Sequence, residues 1–269
     1  RKEPVMRIDT YLAENGMAPS RTRASEMIKK GLVTADGKIV TKPSFEVDEN
    51  SLVRVDKTEH EYVSRAAHKL AFAKECFGIS FEGLCAADLG ASTGGFCQVM
   101  LEAGIKKLWA IDIGHGQLHP SIAGDERVCV LEGVNARYVS EETLGQRVDI
   151  VTSDLSFISQ TLVFDSICKI LKPDGIYIGL IKPQFEAGRE NIGKGGIVKD
   201  KRIHERVIES VIGCANVHGL VCTKLASSPI LGGDGNREFL ACFVNRGEPG
   251  DIPSREIIQA VVRKEFEPL

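Results

Sequence analysis

The segment Asp88-Leu89-Gly90-Ala91-Ser92-Thr93-Gly94-Gly95-Phe96 follows an apolar run and opens a helical pattern. Gly90 and Gly94 let the backbone approach a ligand closely. Amides at the start of the following helix are free to bond an anion or a polar ligand. The spacing is neither the G-x-G-x-x-G of a dinucleotide site nor the G-x-x-x-x-G-K-[ST] of a phosphate loop. The next apolar run ends at Asp112, where a carboxylate can accept hydrogen bonds from both hydroxyls of a ribose. Asn135 stands at the end of the third run. Each residue alone is also compatible with a turn or a cap. Together they outline one nucleoside-binding edge.

Positioning these loops requires strands. Apolar runs at 84–89, 108–113, 128–131, 148–153, 176–181, 220–225 and 239–244 alternate with helical patterns near 66–77, 95–104, 157–171 and 200–217. Such alternation predicts an α/β domain with a mostly parallel sheet and helices on both faces. The last two runs have no helix between them and predict an antiparallel hairpin at the sheet edge. A helical stretch from Ser254 to Phe266 carries Ile257, Ile258, Val261 and Val262 on an apolar side.

Ahead of this domain, residues 1–57 read as a small α+β unit, and 58–63 as a linker to the domain at 64–269. The expected elements are helices at Met6–Asn15 and Arg21–Lys30, stopped by Gly16 and Gly31, and short strands around an Asp36-Gly37 turn. Ser20 is a suitable N-cap for the second helix. Residues 1–42 carry nine Lys/Arg against five Asp/Glu, although the whole 269-residue chain has a net charge of -3. A nucleic-acid surface must therefore be local. Arg7, Arg21, Arg23, Lys29 and Lys30 are its candidates.

The eight cysteines form no C-x-x-C pair and the six histidines no ligand-like spacing, so no metal site is expected. Reduced thiols and the lack of an export signal point to a cytoplasmic protein. No run approaches the roughly 18 apolar residues of a membrane helix.

Four further motifs narrow the class: Ser64-Arg65-Ala66-Ala67-His68-Lys69-Leu70, Ser153-Asp154-Leu155-Ser156-Phe157, Ile181-Lys182-Pro183-Gln184-Phe185-Glu186 and Gly235-Asn236-Arg237-Glu238-Phe239. With the glycine loop, they resemble the TlyA-type (haemolysin A-like) proteins, relatives of the FtsJ/RrmJ ribose 2′-O-methyltransferases. Residues 6 to 245 carry the likeness. The N-terminal unit is similar to the RNA-binding module of a small-subunit ribosomal protein. The resemblance implies a Rossmann-like sheet, S-adenosyl-L-methionine as cofactor, and ribosomal RNA or ribosomal subunits as partner. By motif position it puts a Lys-Asp-Lys-Glu tetrad on Lys69, Asp154, Lys182 and Glu238. It puts the cofactor on residues 88 and 90–96, Asp112, Asn135 and Asp154. Arg65, Arg189 and Lys194 join the RNA-contact candidates. The family usually has two glycines where Ala66 and Ala67 stand; alanine suits those positions if they begin a helix.

A ribose hydroxyl is a very weak acid, so its oxygen must be aligned with the methyl group and its proton drawn off. A lysine does this only with its pKa pulled down by burial or a second cation. Lys182 is expected to be the base, with Lys69 and Asp154 positioning and Glu238 anchoring a lysine. The basic, glycine-rich stretch 186–206 reads as an RNA-contacting loop running into a helix. Competing readings are a membrane-active cytolysin, an RNA-binding protein with a silent fold, and methylation of a base nitrogen.

Overall fold

The computed structural model describes residues 5–29, 31–48, 50–55 and 62–264. The chain divides into two compact units, with the second beginning at Tyr62.

The first unit contains β1 (Met6–Arg7), α1 (Ile8–Glu14), α2 (Arg21–Lys29), β2 (Val33–Ala35), β3 (Lys38–Ile39), β4 (Glu46–Val47) and β5 (Val53–Val55). Ile8, Leu12, Ala24, Ile28 and Val33 form its core. The four-residue spacings within α1 and α2 put one helical face inward. Asp36 and Gly37 both have positive φ, the geometry of a tight hairpin turn between β2 and β3. Ser20 accepts from the Arg23 amide at 3.2 Å. The first helix begins at Ile8, two residues later than its pattern predicted. Met6 and Arg7 instead pair as a strand with Val47 and Glu46. Lys30 and residues 58–61 of the expected linker lie outside the described residues.

The second unit comprises α3 (Ala66–Phe77), β6 (Cys85–Leu89), α4 (Gly95–Glu102), β7 (Lys107–Asp112), α5 (Pro120–Ala123), β8 (Val128–Glu132), α6 (Glu141–Leu144), β9 (Val148–Ser153), α7 (Phe164–Ile170), β10 (Leu171–Ile181), α8 (Pro183–Glu186), α9 (Lys201–Val217), β11 (Leu220–Ser227), β12 (Phe239–Asn245) and α10 (Arg255–Arg263). The strands form one sheet in the order β11-β12-β10-β9-β6-β7-β8. The strands from β10 through β8 run parallel, and β12 is antiparallel to both β10 and β11. The predicted edge hairpin is present. One core cluster joins the sheet to α7, α9 and α10; a second joins it to α3 and α4.

Two topological facts position the site. Strand order reverses between β6 and β9, because the chain grows from β6 toward β8 and then restarts at β9 on the other side. Open α/β sheets bind ligands at the carboxyl ends of strands at such a switch point. Antiparallel pairing then sets Phe239 opposite Ile181. Glu238, just before β12, therefore arrives beside Lys182, just after β10.

Three expectations change in detail. Residues 157–171 are not one helix: Phe157 has φ +63°, a conformation no helix contains, and α7 starts only at Phe164. A short 3-10 turn at Gln160–Leu162 precedes it. In α10, Ile258 and Val262 are buried, Val261 is half-buried, and Ile257 is exposed. The inward stripe is thus narrower than the sequence pattern. Residues past Lys264 lie outside the description.

Candidate active site

The glycine loop leaves β6 at the switch point. Gly90 has φ +83°, and a Cβ there would meet the Leu155 side chain at 3.0 Å and the Asp154 carbonyl oxygen at 3.4 Å. Gly94 (φ +94°) would meet Leu118 at 2.9 Å. Gly95 has a different reason: its Cβ would collide with Ser64 Oγ at 2.2 Å and Ala67 N at 2.9 Å. Its absence lets the start of α3 press against the start of α4. Ala66 and Ala67 are the first two residues of α3, and neither has positive φ, so alanine fits there.

Asp112 at the end of β7 holds this loop. One carboxylate oxygen accepts from the Ser92 amide and the other from the Gly114 amide, each at 2.8 Å. Each oxygen keeps a further lone pair for a hydroxyl donor. Asn135 caps a 3-10 turn through the Arg137 amide at 3.0 Å. A cavity of about 470 Å³ is bounded by Asp112, Ile113, Asn135, Ala136, Leu155 and Ile158. Its apolar walls and one acidic edge match the two ends of a nucleoside. A second cavity of about 450 Å³ shares Gly90, Ser92, Asp154, Ser156 and Phe157 with the first. Asp88, Ala91, Thr93, Gly95 and Phe96 line this second cavity.

Asp88 is buried and accepts from Thr152 Oγ1 at 2.8 Å and Cys97 Sγ at 3.3 Å. Burial pushes its carboxyl up to about 7 despite these two donors, with Asp154 and Asp112 adding like charge.

Lys69, Asp154, Lys182 and Glu238 converge on the second cavity. They form a chain. Glu238 Oε2 is 2.7 Å from Lys69 Nζ, which is 3.2 Å from Asp154 Oδ2. Asp154 Oδ1 is 2.6 Å from Lys182 Nζ, which donates to Ser156 Oγ at 3.0 Å. The contact of Asp154 Oδ1 with Lys182 is a short ion pair. Two cations face two carboxylates, so the buried group is charge-balanced. Burial alone would lower Lys69, but Asp154 and Glu238 outweigh it and raise it. Asp154 is lowered for the converse reason: both lysines overcome its desolvation. The second-cation effect expected from two neighbouring lysines is therefore blocked at Lys69 by the carboxylates on either side of it.

At the rim and just behind it stand residues that sequence reasoning did not single out. Phe157 is 90% exposed and its ring meets Phe185 at 5.3 Å. Gln184 Nε2 reaches Glu238 Oε1 at 3.5 Å. Asn236, 1% exposed, accepts from Val198 N and donates to Gly196 O, both at 3.0 Å. It thereby ties the basic loop to the segment carrying Glu238. All four lie inside the quoted motifs, but no residue type signals the positive φ of Phe157.

The basic candidates separate. Arg7 and Arg21 both engage the buried Asp9, at 2.8 and 3.2 Å, and hold its carboxyl far below the usual range. Arg23 pairs with Glu26 at 3.0 Å. Lys29, Arg189 and Lys194 are exposed. Arg65 lines the second cavity and donates to Leu231 O at 3.1 Å. Among the described residues no group of three or more His, Cys, Asp or Glu could hold a metal, and no helix is long and apolar enough to cross a membrane.

A parallel sheet with one antiparallel strand inserted beside β10, and a glycine loop at the switch point, defines a Rossmann-like methyltransferase domain. Comparisons with known proteins agree. Residues 62–245 match the FtsJ-like methyltransferase family and residues 6–53 match the S4 domain. The chain is 41% identical to the 16S/23S rRNA (cytidine-2'-O)-methyltransferase TlyA of Mycobacterium tuberculosis, over 87% of each. It is 38% identical to Hemolysin A of Brachyspira hyodysenteriae, over 89% of this chain and all of that one. A solved structure of a hemolysin-named protein from Streptococcus thermophilus superimposes with TM-score 0.73 at 38% identity, over 96% of this chain and 94% of that one. The chain belongs to the FtsJ-like methyltransferase family.

Proposed function

We propose that this protein transfers a methyl group from S-adenosyl-L-methionine to a ribose 2′-hydroxyl of ribosomal RNA, with a cytidine as the target. The observation that carries this reading is the chain Glu238–Lys69–Asp154–Lys182 at the junction of a nucleoside-shaped cavity and an open one. The RNA class and the nucleotide in this reading are supported by relatives named for cytidine-2'-O methylation of rRNA.

When bound, the cofactor supplies an activated methyl group on a positively charged sulfur. The residues present fit it. Asp112 can take the ribose hydroxyls, Ile113, Ala136 and Leu155 can flank the base, and Gly90 leaves room for close approach.

The chain's own residues then do three things. Lys69, held as an ammonium between Asp154 and Glu238, fixes Asp154 in place. Asp154 orients Lys182. Lys182, entering the step as the neutral amine, takes the hydroxyl proton as the new carbon–oxygen bond forms and the carbon–sulfur bond breaks. Lys69 stands between two carboxylates and stays an ammonium, whereas Lys182 meets only Asp154 and is the lysine left to act as that base. Arg65 beside the cavity, and Lys29, Arg189 and Lys194 on their exposed surfaces, contact phosphates. A ribosomal substrate places this work in the cytoplasm. The lytic reading rests on the names of relatives, whereas a paired Lys/Asp/Lys/Glu chain in a cavity is chemistry for proton handling.

The test uses S-adenosylmethionine labelled on the methyl group, with small subunits, large subunits and protein-free RNA supplied separately. Label should enter RNA in at least one arm. Cofactor binding by calorimetry without label in any RNA would refute the assignment of substrate.

A further inference from the structure

The segment leaving β9 and the segment leaving β10 run side by side, and besides the Asp154–Lys182 ion pair three contacts join them. Lys182 Nζ donates to Ser156 Oγ. The Phe157 and Phe185 rings meet. Behind them, the Glu186 carboxylate accepts from Ser159 Oγ at 2.6 Å and from the Gln160 amide at 2.7 Å. The first two contacts lie at the cavity. The third lies outside its lining and touches nothing that reacts.

Glu186 is half-buried, and burial lifts its carboxyl above the usual range despite the two bonds. Desolvating a carboxylate is costly, and both donors are neutral. The cost has a structural counterpart in Phe157. A positive φ on an aromatic residue is a strained conformation that the surroundings must hold in place. With 90% of Phe157 exposed, burial of its own side chain cannot hold it. The loop must therefore be fixed at its ends. One end is Asp154, within the tetrad. The other is Ser159–Gln160, which Glu186 clamps to α8. Gln160, 3% exposed, adds a bond from Nε2 to Leu180 O at 3.2 Å.

We infer that Glu186 is a positioning residue for the transfer site: it clamps the loop after β9 to α8 and so sets the approach of Ser156 and Asp154 to Lys182. The activity part of this inference rests on the methyl-transfer reading above. Glu186 touches neither cofactor nor RNA. It acts through the loop.

The test compares full-length Glu186→Gln, Ser159→Ala and the double variant. Glutamine keeps the size and one acceptor oxygen but replaces the other with a donor. Turnover should fall by about tenfold or more in Glu186→Gln, in keeping with the steep cost of small misplacements. Cofactor affinity should fall by less than turnover does, since Leu155 and Ile158 of this loop line the nucleoside cavity while its Asp112 and Asn135 edge is untouched. The double variant should be no slower than the slower single one, because both cut the same clamp. A second readout needs no activity: the side-chain NMR signal of Lys182 in carbon-13 lysine-labelled protein, assigned with Lys182→Arg. It should move in both single variants, and Ser159→Ala serves alone if Glu186→Gln does not fold. Unchanged turnover, multiplying losses, or a stationary Lys182 signal in a folded variant would overturn the inference. If the wild type methylates no RNA, the methyl-transfer reading fails by itself, and the Lys182 signal still decides the role of Glu186.

Discussion

The side-chain nitrogen of Lys182 lies 2.6 Å from Oδ1 of Asp154, the carboxylate whose other oxygen faces Lys69. One acid thus separates two cations that would otherwise repel. Asp154→Asn should lower turnover by roughly 10²- to 10⁴-fold, the range for losing a group that orients an acid–base residue. Steady-state kinetics with saturating cofactor would check it, and a loss confined to KM would count against the assignment.

Lys69 should matter more for stability than its neighbour. Removing it strands Glu238, 2% exposed, and Asp154 without their shared cation. Breaking a buried pair from one side costs about 3–5 kcal/mol. Lys69→Ala should therefore melt well below the wild type, and adding Glu238→Gln should recover part of the loss. Denaturant unfolding of the wild type, Lys69→Ala, Glu238→Gln and the double variant measures the coupling.

Much of this site was legible because four of its carboxylates and amines stand at the ends of apolar runs. Strand ends gather at one edge of a parallel sheet, so Asp88, Asp112, Asp154 and Lys182 were bound to share it. Which lysine meets Glu238 was not legible. That depends on how closely α3 approaches α4, which Gly95 sets across the fold, and on the antiparallel register of Phe239 with Ile181. The turn at Asp36-Gly37 was readable from its residues. The loss of helix at Phe157 was not, because its positive φ is imposed by tertiary contacts on a residue with no preference for it. In the N-terminal unit, Arg7 and Arg21 read as free charges until folding brought Asp9 between them.

Gly95→Ala should disable transfer without touching any ionisable group. Its Cβ would strike Ser64 and the Ala67 amide, pushing α3 and Lys69 away. Activity should fall with a lowered thermal midpoint. Gly213→Ala, in α9 and away from both cavities, meets nothing within 4 Å and is the control that should stay near wild type.

The buried Asp88 carries a pH signature. Its carboxyl is raised to about 7 by burial, so the folded protein holds a proton there that the unfolded chain has already released. Stability therefore falls as pH rises from about 4 to 7 and is flat above that, relative to Asp88→Asn. A cation bound nearby favours the charged form. S-adenosylmethionine binding near pH 7 should thus release protons, and S-adenosylhomocysteine, which lacks the sulfonium charge, should release fewer. Calorimetry in two buffers of different ionisation heat reads this directly. A buffer-independent heat for both ligands would contradict it.

RNA affinity should separate the basic residues of the N-terminal unit. Lys29→Ala should weaken RNA binding and reduce the salt slope by about 0.9 for one lost phosphate contact. Arg21→Ala should weaken binding less than it destabilises the unit, because its partner Asp9 is buried. Binding measured across a salt series, beside thermal melting, distinguishes the two.

The most direct test of the central claim is mass spectrometry of nucleosides from ribosomal RNA treated with wild-type protein or Lys182→Ala and deuterated S-adenosylmethionine. Labelled 2′-O-methylcytidine from the wild type, and none from the variant although it still binds cofactor, is the predicted result. Equal labelling by both proteins, or label on a base instead of the ribose, would contradict it.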